Sequence, residues 1–286
     1  MVLRIPFNWA GNKVNYTYFI NSMIGRRKYD RVIDMFLGSG NLLLNMRCKA
    51  NEYIGNDLIN LLPKIYNFIN DNDLEFHEDD FNEIVDKWGF YSKDDYIKYR
   101  DYWNKRNKED IDKKFICETL IILRLGFNSM VRFNSEGDLN QSFRGIRAGH
   151  EGKSVLEGSN FKVSARSLNN VKKVLRKGNY KFYNMDFRDL ITELEPFTKD
   201  DLLLLDPPYI LGNTETYSGE FDEEADIDLL NFVSNVESDF MMFNYLESGG
   251  ETHNELQKFI KENKLKVYTL SKKCKLSLPP AAASLI

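Results

Sequence analysis

Cysteine and histidine are scarce, with three of each in 286 residues. Cys48, Cys117 and Cys274 are an odd number set far apart, and His77, His150 and His253 share no short spacing with them or with one another. That argues against a disulfide framework and a zinc signature, and leaves all six as structural or surface residues. Long apolar runs are missing too. No stretch of about 18 apolar residues could span a membrane, and the opening "MVLRIPFNWAGNK" lacks the apolar core of a secretory signal. There are no internal repeats. A hydrophobic fraction of 42% still suits a sizeable core, in one large domain or in a core with an insertion. The expectation is a cytoplasmic protein that needs no metal.

Positive charge is also short overall, with 39 Lys and Arg against 43 Asp and Glu, a net of -4. The shortage is uneven. From Arg100 to Phe182, 18 basic residues face 9 acidic ones, a net of +9, which leaves -13 for the rest of the chain. A basic stretch inside an acidic protein reads either as the footprint of a polyanion partner or as the solvated face of Lys-rich helices.

What is present is alternation. "RVIDMFLGSGNLLLNM" predicts a strand from Arg31 to Phe36, a glycine turn and a helix from about Asn41; "EYIGND" predicts a second strand ending at Asp57. Helical periodicity continues from Leu58 to about Arg100, and "FICETLIILRLGFN" predicts an apolar helix that stops at Gly126. Residues 127–161 read as loops with a short hairpin. Thereafter "VSARSLNNVKKVLRK", "FRDLITEL", "IDLLNFVSNVE" and "ETHNELQKFIKEN" predict helices between the strands "YKFYNMD", "LLLLD", "FMMFNY" and "KVYTLS". The pattern is that of an α/β protein with a largely parallel sheet and helices on both faces. Residues 276–286 show no strand-like alternation and read as an atypical tail, truncated or not native to the protein.

Two motifs carry chemistry. The strand, Gly38-Ser39-Gly40 turn and following helix let a ligand approach the backbone closely at a helix N-terminus, and Asp57, at the end of the next strand, is placed to accept hydrogen bonds from ribose hydroxyls. Without a third glycine in dinucleotide spacing, the pair suggests an adenosine cofactor lacking a pyrophosphate. The second motif is "LLLLDPPYIL". A buried strand runs into Asp206-Pro207-Pro208-Tyr209, and proline cannot extend a sheet ladder. A carboxylate and an aromatic ring are therefore fixed at the strand's carboxyl end, where open parallel sheets bind ligands. For a ring-conjugated amine such as adenine N6, the Asp206 carboxylate and the Pro207 carbonyl could each accept one hydrogen and turn the lone pair out of conjugation. The two prolines keep that carbonyl aimed inward, and Tyr209 offers a stacking face.

In motif content and order the chain resembles the Dam-type DNA adenine-N6 methyltransferases of the D12 class over nearly its whole length. The resemblance implies a Rossmann-like sheet that binds S-adenosylmethionine, formed by residues 1–60 and 161–275, with a mostly helical target-recognition insert at 61–160. "NWAGNK" is similar to the family's N-terminal cofactor segment, implying roles for Trp9 and Lys13. "DMFLGSG" matches the glycine motif, bringing in Asp34, Phe36, Gly38 and Gly40, and Asp57 matches the ribose-binding acid. "NMDF" resembles the adenine-pocket motif, with Asp186 on the cofactor amino group and Phe187 on its ring. Asp206, Pro207, Pro208 and Tyr209 match the catalytic tetrapeptide. "GFNSMVRFN" and "GDLNQSFRG" resemble the recognition hairpin, so that Arg132 would read a guanine edge, with Phe127, Asn128, Met130, Asn140 and Ser142 also at DNA.

Asn8, where many relatives carry lysine, would face the target. Tyr217 and Phe221, in the polar loop from Ile210 to Asp226, could meet DNA as that loop closes. The implied partner is double-stranded DNA, with GATC as the candidate site, bound by a monomer. An NAD-dependent oxidoreductase or a non-catalytic DNA-binding protein on the same sheet would use only part of these residues.

Overall fold

The leucine run lies at the centre of a seven-stranded sheet. The computed structural model describes residues 2–7, 9–127, 131–146, 152–211, 221–270 and 283–285. Strands β1 (Lys28–Asp34), β2 (Lys49–Asn56), β3 (Tyr180–Tyr183), β4 (Asp201–Leu205) and β5 (Asp239–Tyr245) run parallel in the order β3-β2-β1-β4-β5. Strands β6 (Glu247–Ser248) and β7 (Glu251–Thr252) form a separate small hairpin. The sheet ends with β8 (Tyr268–Leu270) and β9 (Ala283–Leu285), the latter antiparallel to both β5 and β8 and lying between them.

All five residues of β4 are buried, because helices cover both faces. Leu202 and Leu204 join Val32, Met241 and Phe243 in one layer, while Leu203 and Leu205 join Ile33, Ile54 and Met242 in the other. Alternate residues of one strand thus feed opposite cores, as a period of two requires. Each buried leucine contributes roughly 1.5–3 kcal/mol. The first layer receives α1 (Thr17–Ile24), α2 (Leu61–Asp71), α3 (Asp79–Trp88), α4 (Lys93–Asn104), α5 (Lys113–Leu125) and α6 (Phe161–Leu175); the second receives α7 (Phe187–Leu194), α8 (Glu223–Asn235) and α9 (Asn254–Glu262). No helix among the described residues is long and apolar enough to cross a membrane.

Residues 61–125 are helical, and one apolar cluster runs from Val32 of the sheet through Ile65 of α2 to Trp103 and Ile121 of α4 and α5. Helix α2 lies on β3, where Asn67 Nδ2 donates to Phe182 O at 2.8 Å. Inside the helical region Glu118 is fully buried, accepting from Tyr102 Oη at 2.8 Å and Arg106 at 3.1 Å.

Two expectations change. The helix predicted from Asn41 is a single 3-10 turn, Leu43–Asn45. The asparagine side chains bind the N-terminal segment: Asn45 Oδ1 accepts from Leu3 N at 2.7 Å, Asn41 Oδ1 from Ile5 N at 3.2 Å, and β2 starts only four residues after the turn. The tail is not wholly outside the fold either, since Ala283–Leu285 supply the strand β9; residues 276–282 and 286 lie outside the described ones.

Candidate active site

Four parallel strands deliver carboxylates to one edge of the sheet. Asp34 ends β1, Asp57 follows β2, Asp186 follows β3 and Asp206 follows β4. The chain moves outward from β1 to β3 and then returns to β4 on the other side of β1, so the crevice opens at a topological switch point. Trp9, Lys13, Asp34, Phe36, Gly38, Asp57, Asp186, Phe187 and the tetrapeptide from Asp206 to Tyr209 line one cleft there.

Gly40 lies behind the cleft wall. Its φ is +71°, and a Cβ there would come within 3.0 Å of the Tyr66 ring, whose hydroxyl donates to Ser39 O at 2.6 Å. Gly38 is also left-handed, at φ +49°, and its amide donates to Asp57 Oδ2 at 2.7 Å. The other Asp57 oxygen accepts from Ile59 N at 2.9 Å. Burial outweighs those two amides and pushes the Asp57 carboxyl up to about 6. Asn56 ties the strand ends together, donating to Met35 O at 3.3 Å and Met185 O at 3.0 Å.

The Asp206–Tyr209 tetrapeptide is tightly engaged. Lys13 Nζ donates to Asp206 Oδ2 at 2.5 Å and to Gly11 O at 2.7 Å, and the Tyr209 hydroxyl donates to Asp206 Oδ1 at 2.7 Å. Asp34 is 1% exposed, and its Oδ1 has no hydrogen-bond partner among the described residues. Burial first, then the neighbouring Asp206 charge, raises the Asp34 carboxyl well above the usual range. Asp186 caps α7, accepting from Arg188 N at 2.8 Å.

Three rings complete the wall: Phe36 lies 5.5 Å from Phe187 and 5.8 Å from Phe221, and Phe187 lies 6.0 Å from Phe221. Phe221 thereby lines the cleft. Leu58, Ile59 and Met185 also line the cleft and were missed; their signal is an apolar residue within two positions of a motif acid.

The residues expected at DNA lie elsewhere. Phe127, Arg132, Asn140 and Ser142 are exposed, and none of them lines the cleft. They face one another in pairs: Phe127 N donates to Ser142 O at 2.8 Å, and Asn140 N to Arg132 O at 2.7 Å. Beneath them Val131, Leu139 and Gln141 are buried. A Cβ on Gly126 would fall 2.4 Å from the Gln141 side chain, so glycine lets the hairpin close on α5. Asn8, Asn128, Met130 and Tyr217 lie outside the described residues.

A switch-point cleft walled by carboxylates, a glycine turn and Asp-Pro-Pro-Tyr sits on an α/β fold with a mainly parallel sheet. The chain belongs to the D12 class N6 adenine-specific DNA methyltransferase family, whose model matches residues 9–272. It is therefore an enzyme that methylates adenine in DNA, and the oxidoreductase and non-catalytic readings have no support. No curated protein matches it by sequence. One solved structure that it resembles is titled "conserved hypothetical protein- streptococcus pyogenes", at 9% identity and a TM-score of 0.30, covering 93% of this chain and 92% of that one; at that score it carries no argument.

Proposed function

We propose that this protein transfers a methyl group from S-adenosylmethionine to N6 of an adenine turned out of duplex DNA. The observation that carries the reading is Asp206, held by Lys13 and Tyr209 in the same cleft as the orphaned, buried oxygen of Asp34. The cleft fits the cofactor. Asp34 offers an unpaired acceptor for an ammonium, Asp57 has lone pairs left for ribose hydroxyls, Phe36, Phe187 and Phe221 offer apolar faces to a purine, and Gly38 leaves the backbone open. When bound, S-adenosylmethionine supplies an electrophilic methyl on a sulfonium.

The chain's own part is positioning. Asp206 and the Pro207 carbonyl accept the two amine hydrogens, which rotates the nitrogen lone pair out of conjugation and toward the electrophile. The base must leave the helix because N6 cannot reach the cleft while it is paired and stacked. We assign DNA reading to residues 61–160, with Arg132 on a guanine edge.

The test is transfer of labelled methyl from S-adenosylmethionine to two duplexes differing only in a GATC site, with unmethylated genomic DNA alongside and Asp206→Ala as control. Label in the GATC duplex and the genomic DNA, lost in the variant, supports both chemistry and site. Label in genomic DNA alone moves the site elsewhere. No label in any DNA would sink the proposal.

A further inference from the structure

Both oxygens of the Asp206 carboxylate already have a donor within the protein, Lys13 on Oδ2 and Tyr209 on Oδ1. The two donors are held differently. Lys13 is 7% exposed, is tied also to Gly11 O, and places its ammonium 5.3 Å from the centre of the Phe243 ring. Removing it would leave a largely buried carboxylate without a counter-charge, which is costly. Tyr209 is only half-buried, and its ring meets Tyr245 edge-on at 4.6 Å and 73° and the Lys13 ammonium at 5.5 Å. A neutral hydroxyl costs less to displace from the carboxylate than the ammonium does.

We propose that the Tyr209 hydroxyl is the stand-in for the target amine, occupying Asp206 Oδ1 until the base arrives and then giving it up. The proposal rests on the function given above and assigns the order of events within it. Lys13 keeps Oδ2 throughout, so a single carboxylate oxygen passes to the substrate and the second amine hydrogen goes to the Pro207 carbonyl. One displacement then does two things: it hands Oδ1 to the amine, and it frees the Tyr209 ring from its edge contact with Tyr245 to lie against the base. An amine that bonded Oδ1 with the hydroxyl still in place would share a weakened acceptor and find the ring held away.

Tyr209→Phe keeps the ring and deletes the hydroxyl that competes for Asp206 Oδ1. The methylated site is first mapped on genomic DNA with the wild-type protein. A duplex carrying that site, with 2-aminopurine at the target position, is then titrated without cofactor. The variant should bind about tenfold more tightly, the size expected when a hydrogen bond to a charged acceptor no longer has to be broken. Its 2-aminopurine fluorescence at saturation should be higher, and its KM for genomic DNA lower. Tyr209→Ala, which lacks the ring as well, should bind more weakly than wild type. Equal or weaker binding by a Tyr209→Phe protein that melts like wild type would overturn the proposal. A wild-type protein that methylates no DNA removes the underlying reading instead, and shows it before any variant is compared.

Discussion

Asp34, Asp57, Asp186 and Asp206 share a cleft in which Lys13 supplies the one ammonium among the described residues. The imbalance falls hardest on Asp34, which burial and the Asp206 charge keep protonated well above its ordinary value of 3.8. Unfolded, the same carboxyl ionises near that value. Between about pH 4 and the raised value the folded state therefore binds more protons than the unfolded one, and stability falls as pH rises through that window; below it both states are protonated and nothing is lost. Asp34→Asn carries no such cost. Its melting temperature should match wild type near pH 4 and exceed it increasingly toward neutral pH. A difference that does not change with pH would mean that Asp34 is ionised in the fold. Cofactor affinity should move the other way. Calorimetry should show S-adenosylmethionine binding to the variant about tenfold more weakly, because an arriving ammonium draws the proton off Asp34 and pairs with the carboxylate, whereas an amide stays neutral.

The glycine turn is the element on which the cleft depends most. Gly40→Ala would strain a left-handed backbone and press a methyl group against Tyr66, so a loss of about 1–3 kcal/mol in denaturant unfolding is expected. The turn was legible because a strand ending in two closely spaced glycines admits few other conformations. The 3-10 turn after it was not. Three consecutive leucines between Asn41 and Asn45 are good helix formers, and only the distant partners Leu3 and Ile5 show why both asparagines hold another segment instead. The same limit applies to the Lys13–Asp206 pair, which joins residues 193 apart in the chain. Residue types alone could not bring those two together; the family resemblance could place both in one site. That Phe221 lines the cleft was not legible, because its loop is polar while its ring packs inward. His253 reads in isolation as scattered, but it caps α9 through Nδ1 and faces the buried Asp226 of α8 at 3.2 Å.

Over the whole molecule, an acidic protein is expected to hold a polyanion through one basic region. Binding to site-free duplex should weaken steeply with salt, log Kd changing by about 0.9 per log salt for each phosphate contacted. Arg132→Ala should cost about 1–3 kcal/mol on site-containing DNA and little on site-free DNA, which a competition titration would resolve. Parallel α/β architecture was legible because buried apolar strands such as the leucine run of β4 alternate with helical periodicity. The closing strand β9 was not, because Ala283–Leu285 has no alternation to read.

The apolar cluster that runs unbroken from β1 through α2 to α4 and α5 bears on how such an enzyme acquires a new target. On the proposal that residues 61–160 read the target, they are no detachable cartridge: grafting them from a relative would exchange much of the core on which the cleft is mounted. Phe127, Arg132, Asn140 and Ser142, proposed above to meet DNA, stand on the surface and can be edited without touching that core. Retargeting is then expected to proceed by single letters on a fixed body.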